Sequence, residues 1–411
     1  MVSQQSADVV VIGAGIIGAA CARTLSMAGH SVILLERGAS AGGTSSHGEG
    51  NLLLSDKGPG DELRLSQYAA DLWQDVIAQL ADELGPEFPS AEYEEKGGLV
   101  VATTAAGAQP LLDFAESQRG AGVEAQPMTF AEAKELEPQI NPAITAAVFY
   151  PGDAQIQPVI ATEALLASAR VHGATVRQGV RVTAGIHDAS GRLVGVKTTK
   201  GDVHAGNVIV AAGPWSGEVA ALLGSNLPVK PRRGMVLVTT RMPHQIFRKV
   251  YDGDYVGAVG SGDAALQTSS VVESTAAGTV LIGSSRQQIG FDDRLRVEVL
   301  RELSRKALRI FPFLEQASVM RSYGGFRPFM PDHLPVIGED YRMPGLWYAT
   351  GHEGAGIGLC VATANILSDS MSGLTPRLDP APFTVGRASL ADHLTPLTGG
   401  SANTTTGAAQ S

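Results

Sequence analysis

Gly13, Gly15 and Gly18 stand in the pattern G-A-G-I-I-G, directly after the apolar run D-V-V-V-I (residues 8–12) and directly before a helix-like stretch. At that spacing the first glycine makes a tight turn, the second lets the backbone approach a pyrophosphate, and the third lets helix and strand pack closely. The helix N-terminus would offer unpaired N–H groups and a positive dipole end to the phosphates. Glu36 ends the next strand, S-V-I-L-L-E, where a carboxylate can accept from a ribose hydroxyl; its charge disfavours a 2′-phosphate, and so NADP. A second strand, glycine loop and helix, L-W-Y-A-T-G-H-E-G-A-G-I-G-L-C-V-A-T-A-N-I-L, fills residues 346–367 and can face the other end of an extended dinucleotide. A nicotinamide dehydrogenase usually completes its nucleotide fold in one block, whereas a flavoprotein commonly returns with its last segment, so the pattern favours FAD over NAD. Arg327 is the other chemical candidate. Its planar guanidinium presents parallel donors to a carboxylate, and Pro328 biases it toward extended backbone, as on a strand edging a cleft.

The elements that must hold these residues can be read from the pattern. Residues 8–12 are continuous and apolar, as a strand buried on both faces should be, a helix follows from 16 to 28, and residues 31–36 close a βαβ unit. Residues 63–84 read as a long helix with Trp73 on its core face, and residues 97–103 and 207–213 as further strands. Nucleotide-type segments occur at the start, near the middle and near residue 350, with antiparallel-looking strands between, which indicates two interleaved domains in 411 residues. The 49 glycines and 5% aromatics suit an α/β enzyme with many tight turns. A net charge of −10 without a basic stripe gives no footprint for nucleic acid. Cys21 and Cys360 have no metal-binding or disulfide spacing, and no metal site is expected. With no apolar run of about 18 residues, a cytoplasmic address follows, with peripheral attachment at the inner membrane as the alternative.

The chain resembles the FAD-dependent D-amino acid oxidase superfamily, which includes glycine and sarcosine oxidases, the flavin subunits of opine and hydroxyproline dehydrogenases, and D-amino acid dehydrogenase. The resemblance rests on VVVIGAGIIGAACARTL with LLER, GGTSSHGEGN, AAGPWS (211–216), PRRGMVLVT (231–239), GGFRPFMPDHLPVIG (324–338) and GHEGAGIG (351–358). It implies an α/β fold: a Rossmann-like FAD-binding domain of the glutathione reductase type 2 form (residues 7–85, 146–225 and 321–373), interleaved with an antiparallel-sheet α+β substrate domain (86–145 and 226–320). Residues 383–411, whose end is polar and low in complexity, are expected to be a flexible tail.

The same resemblance places Gly13, Gly15, Ile16, Ile17 and Gly18 on the pyrophosphate and Glu36 and Arg37 at the adenosine ribose. Thr44, Ser45, Ser46 and His47 would lie along the phosphate and flavin edge, Val180 at the adenine, and Ala212, Gly213 and Trp215 along the cofactor. Gly325, His352, Glu353, Gly354, Ala355, Gly356 and Ile357 would lie near the isoalloxazine. Gly325 occupies the position of the cysteine that tethers FAD in monomeric sarcosine oxidases, so the FAD is expected to be non-covalent. Arg327 would bind the carboxylate of an amino or imino acid, with His352 or Glu353 assisting proton removal from the amine. Tyr251 and Tyr255 are the nearest candidates for a tyrosine at the substrate, but the strand before TVLIGSS lacks the one expected of glycine and D-alanine oxidases. The implied reaction is C–N oxidation of a D-amino acid, hydroxyproline or opine by hydride transfer to the flavin. The electrons would pass to a quinone, an electron-transfer partner or oxygen, with other subunits of a larger dehydrogenase as possible partners. An oxygen-dependent sarcosine or glycine oxidase and a non-catalytic flavin subunit are the alternatives.

Overall fold

The computed structural model describes residues 5–253, 261–395 and 397; Tyr255 lies outside them. Strand β1 (Gln5–Ile12) runs through Gly13 into helix α1 (Ile16–Met27), and β2 (Val32–Leu35) returns parallel to β1. Alternation along β1 explains its unbroken apolar run. Val9 and Val11 point into the layer of helices, while Val10 and Ile12 point into a second apolar cluster on the other face.

The chain then leaves this layer. After β3 (Asn51–Leu52) and α2 (Asp61–Leu84) come β4 (Gly98–Ala102), α3 (Ala105–Gly120), β5 (Gln126–Met128), α4 (Phe130–Leu136) and β6 (Ala146–Tyr150), with β7 (Ala154–Gln155) pairing back on β3. Helix α5 (Pro158–Val171), β8 (Thr175–Arg177), β9 (Val182–His187), β10 (Leu193–Thr198), β11 (Gly201–Val210) and α6 (Ser216–Leu222) belong again to the first layer. Strands β12 (Lys230–Thr239), β13 (Lys249–Asp252), β14 (Gln267–Ser274) and β15 (Val280–Arg286), helix α7 (Val297–Ile310) and β16 (Val319–Phe329) extend the second sheet. Strands β17 (Val336–Glu339) and β18 (Leu346–Thr350) and helix α8 (Gly356–Met371) complete the first.

The first sheet has the order β17-β18-β11-β1-β2-β8, parallel but for β17, with β10 and β9 as an antiparallel extension of β11. Helices α1, α2, α5 and α8 pack on one another along its face. The second has the order β16-β12-β15-β14-β13-β4-β6-β5, antiparallel but for the β13–β4 pair. Val299, Leu303, Ala307 and Ile310, spaced three or four apart on α7, bury one stripe of that helix against it. Two segments expected in the nucleotide-binding layer lie in the second sheet instead. Residues 146–150 form β6 between β4 and β5, and β16 pairs along most of its length with β12.

The expected tail also begins too early in the sequence reading. Phe383, Val385 and Leu390 are buried on the first layer, and Arg387 reaches back to Asp332, donating from Nε to Oδ2 (2.6 Å) and from Nη2 to Oδ1 (2.9 Å). Three scattered apolar side chains and one fork-shaped ion pair hold a segment that lacks any helical or strand period. Despite burial, which acts the other way, the bonds from Arg387 and Ser389 hold Asp332 below the usual carboxylate range. Ending the chain at Pro382 should therefore lower the melting temperature markedly, since burying each such side chain contributes about 1.5–3 kcal/mol. A thermal melt followed by circular dichroism checks this. The ion-pair part of the loss should be largest near neutral pH and fade as acid protonates Asp332; an unchanged melt would show that the strap adds nothing.

Candidate active site

A cleft of about 520 Å³ opens where the C-terminal ends of β1, β2 and β11 face strands β12 and β16, and its walls come from both sheets. At the β1–α1 junction Gly13 has φ +111°, and a Cβ there would stand 2.5 Å from the Ala211 carbonyl oxygen. A Cβ at Gly18 would stand 1.9 Å from the Gly13 oxygen. Only glycine allows these backbones to meet. Gly15 is different: a Cβ there would meet only Ser45 Oγ, at 3.3 Å, so its bareness leaves open the cleft wall at the N-terminus of α1. Ser45 Oγ accepts from the Ile16 N–H (3.0 Å), and Glu36 accepts from the amides of Ala14 (3.0 Å) and Gly38 (2.7 Å), which locks its carboxylate at the cleft rim.

A stack of side chains runs beside the cleft, and Arg37, Trp215 and Phe326 of it line the wall. The Arg37 guanidinium lies 4.2 Å over the Trp215 ring, Trp215 stacks on Phe291 at 5.4 Å and 7°, and Phe291 meets Phe326 edge-on at 5.2 Å. This column joins a loop of the first layer to the second sheet. Sequence reading supplied Arg37 and Trp215 and missed Phe291 and Phe326. Ile16, Ile17, Thr44, Val180, Ala212 and Gly213 line the same cleft, as do Gly325, Gly354, Gly356 and Ile357. Three expected contacts do not. The Ser46 hydroxyl donates to the Gly43 carbonyl (3.1 Å), and Ala355 lines a second cavity of about 450 Å³ that shares Asn51 and Gly354 with the first. Gly18 contributes through packing, behind the wall.

At the far end Arg327, on β16, lies against two glycines. A Cβ at Gly234 would stand 2.3 Å from its Nη1 and a Cβ at Gly354 would stand 3.4 Å from its Nε, while Nη1 donates to the Ser285 carbonyl (2.8 Å). His47 bonds through Nδ1 to the Gly43 carbonyl (2.7 Å) and packs its Cβ on Gly325. His352 is buried, with Nε2 2.9 Å from Thr363 Oγ1, and burial pushes its imidazole from the ordinary value down to about 3. It stays neutral through the physiological range and is too weak a base for the proton-removing role expected of it. Glu353 pairs with the buried Arg232 (3.2 Å) and with His333 (3.0 Å), and this engagement makes it a brace between the glycine loop and β12. Tyr251 needs a correction. It is fully buried on β13, outside the lining of the cleft, and its hydroxyl donates to Ser55 within a network anchored on Asp153.

Glu49 was overlooked. It follows the H-G pair of the loop that carries Thr44 to His47, lines the cleft, and is only 8% exposed. Its motif position was visible in S-H-G-E-G-N, but its burial is created by β13–β16, some 200 residues away in the chain.

An open groove of bare backbone at a helix N-terminus, a carboxylate at one rim and a second glycine loop at the far end match the two halves of an extended dinucleotide. Such a frame, with walls from two sheets, defines a dinucleotide-dependent oxidoreductase. The chain belongs to the DAO family of FAD-dependent oxidoreductases, whose family model matches residues 8–370, and FAD is its cofactor. A glycine oxidase of Pseudomonas aeruginosa is 30% identical over 390 residues, covering 92% of this chain and 98% of that protein. The hydrogen cyanide synthase subunit HcnC of the same species is 28% identical, covering 92% and 96%. The crystal structure of glycine oxidase from Geobacillus kaustophilus superposes with a TM-score of 0.84 at 27% identity, covering 93% of this chain and 99% of that one. Among the described residues no helix is long and apolar enough to cross a membrane.

The glycines separate binding from folding. Gly15→Val should give a folded apoprotein that no longer absorbs in the blue, because the added methyls intrude into the pyrophosphate wall and meet little else. Gly18→Val should fail to fold, since its Cβ collides with the Gly13 carbonyl. Visible spectra and circular dichroism of the two purified variants check this; a yellow Gly15→Val protein would mean that the phosphates lie elsewhere.

Proposed function

We propose that this enzyme oxidises the C–N bond of a small amino or imino acid held by Arg327, with non-covalently bound FAD and with glycine-like substrates as the first class to try. The observation that carries the reading is Arg327. It is a forked cation lining the cofactor cleft, fixed by the Ser285 carbonyl and seated against Gly234 and Gly354. A bidentate carboxylate bond at this partly buried site would pin the substrate and leave its α-carbon one orientation. Flavin, when bound, supplies the hydride acceptor. The protein's share is to orient the substrate, exclude water and manage the amine proton. Neutral, buried His352 backs the glycine loop without exchanging protons. The Arg232–Glu353–His333 group holds that loop against β12.

The relatives named as glycine oxidases favour an oxygen-using enzyme over the hydroxyproline or opine dehydrogenase expected from loop spelling. The HcnC relative supports a second reading, a flavin subunit that passes electrons to a partner. Hydrogen peroxide formed in equal amount to the amino acid consumed supports the first; turnover only with a dye acceptor supports the second.

Arg327→Leu should keep its FAD but lose about 2–5 kcal/mol of substrate recognition, roughly thirty- to several-thousand-fold in kcat/KM. Arg327→Lys should recover only part, because an ammonium cannot reproduce the fork. Anaerobic bleaching of the flavin by a panel of amino acids measures both, and a wild-type rate in Arg327→Leu would remove this arginine from substrate binding.

A further inference from the structure

We propose that Glu49 is the seat of the substrate's ammonium group and the acceptor of its proton, an assignment that rests on the amino acid oxidation proposed above. Three observations converge on it. Glu49 lines the cleft that also contains Arg327, so one cavity offers a cation for a carboxylate and a carboxylate for an ammonium. Among the described residues its carboxylate has no hydrogen-bond or ion-pair partner, although Glu49 is more than nine-tenths buried; Oε1 is enclosed and unpartnered. A buried carboxylate oxygen without a donor is costly, and such groups persist where a ligand completes them. Finally, the second sheet makes room for it: a Cβ at Gly283 on β15 would stand 2.2 Å from Oε1, so the strand is bare where the carboxylate rests.

The groups facing Glu49 come from its own loop and four strands. His47 is on the loop, Lys249 on β13 and Glu273 on β14 form a buried ion pair, Arg286 is on β15, and Tyr323 and Arg327 are on β16. Burial, opposed by Lys249 and reinforced by Glu273, pushes Glu49 up to about 7, which suits a group that must take and release a proton near neutrality. An amino acid arrives as a zwitterion whose ammonium has no lone pair. In the step assigned here an N–H bond of the ammonium breaks and an O–H bond forms on Glu49. The electron pair stays on nitrogen, where it can drive departure of the α-hydrogen, and the proton later leaves for water. Neither His352, neutral and tied to Thr363, nor Glu353, paired with Arg232 and His333, is placed to do this.

The test uses the FAD-loaded protein. In the wild type, anaerobic flavin bleaching by the best amino acid should rise with pH through an inflection near 7. In Glu49→Gln the rate at that pH should fall by roughly 10²-fold or more, and the inflection should move up to that of the substrate's own ammonium. Glu49→Asp should recover part of the rate. FAD content should be unchanged, and propionate, which has the carboxylate but no amine, should bind Glu49→Gln as well as or better than it binds the wild type. A wild-type rate and pH profile in Glu49→Gln would overturn the Glu49 assignment and leave the oxidation reading standing, and so would equal weakening of amino acid and propionate binding. If no amino or imino acid bleaches even the wild type while glycine binding still depends on Glu49, the oxidation reading falls and the ammonium site stands.

Discussion

Three backbone segments meet without side chains where Gly13, Gly18 and Ala211 touch, and the geometry of the whole cofactor half follows from that contact. With a Cβ at either glycine, α1 could not lie so close to β1, and β1 could not approach the loop after β11. The close fit aims the first turn of α1 at the cleft, places the Ala14 amide where Glu36 can hold it, and brings Ser45 onto the Ile16 amide. The cleft wall here is main chain, held in position by the absence of side chains.

The second sheet uses the same device for a different end. Strands β12 and β15 carry glycines at 234 and 283, and each vacancy is filled by a charged side chain from another element: Arg327 in the first case, Glu49 in the second. Cation and carboxylate thus reach the same cleft from different parts of the chain and are fixed by backbone contact. In the proposed reading this layout suits a zwitterion before any substrate arrives.

Legibility in the sequence followed locality. The β1–α1–β2 unit and the loop before α8 were readable because their glycines and apolar runs sit within a few residues of what they contact. Arg327 was readable because its motif includes its own backbone constraint, Pro328. Glu49 stands in a quoted motif, yet its lack of a partner depends on strands that start at residue 249. Tyr251 was misjudged because nearness in sequence says nothing about position across a sheet: it shares the face of Val271 and Gly283, yet it lies under the Ser55–Asp153 network and not in the cleft lining. The strap at 383–393 was mistaken for tail because three isolated apolar residues in a Pro- and Ala-containing stretch carry no period, and their burial is decided by the surface they meet.

The interleaving of the two sheets has a consequence for how the molecule comes into being. Strand β1 waits for its second neighbour until β11 has emerged, α1 keeps an uncovered face until α8 arrives at residues 356–371, and Arg327 cannot be seated before β16 pairs with β12. At cellular rates of synthesis this earliest helix remains partly uncovered for roughly tens of seconds. Flavin capture is therefore a closing event in assembly, because the cleft is complete only when β16 and the loop before α8 are in place.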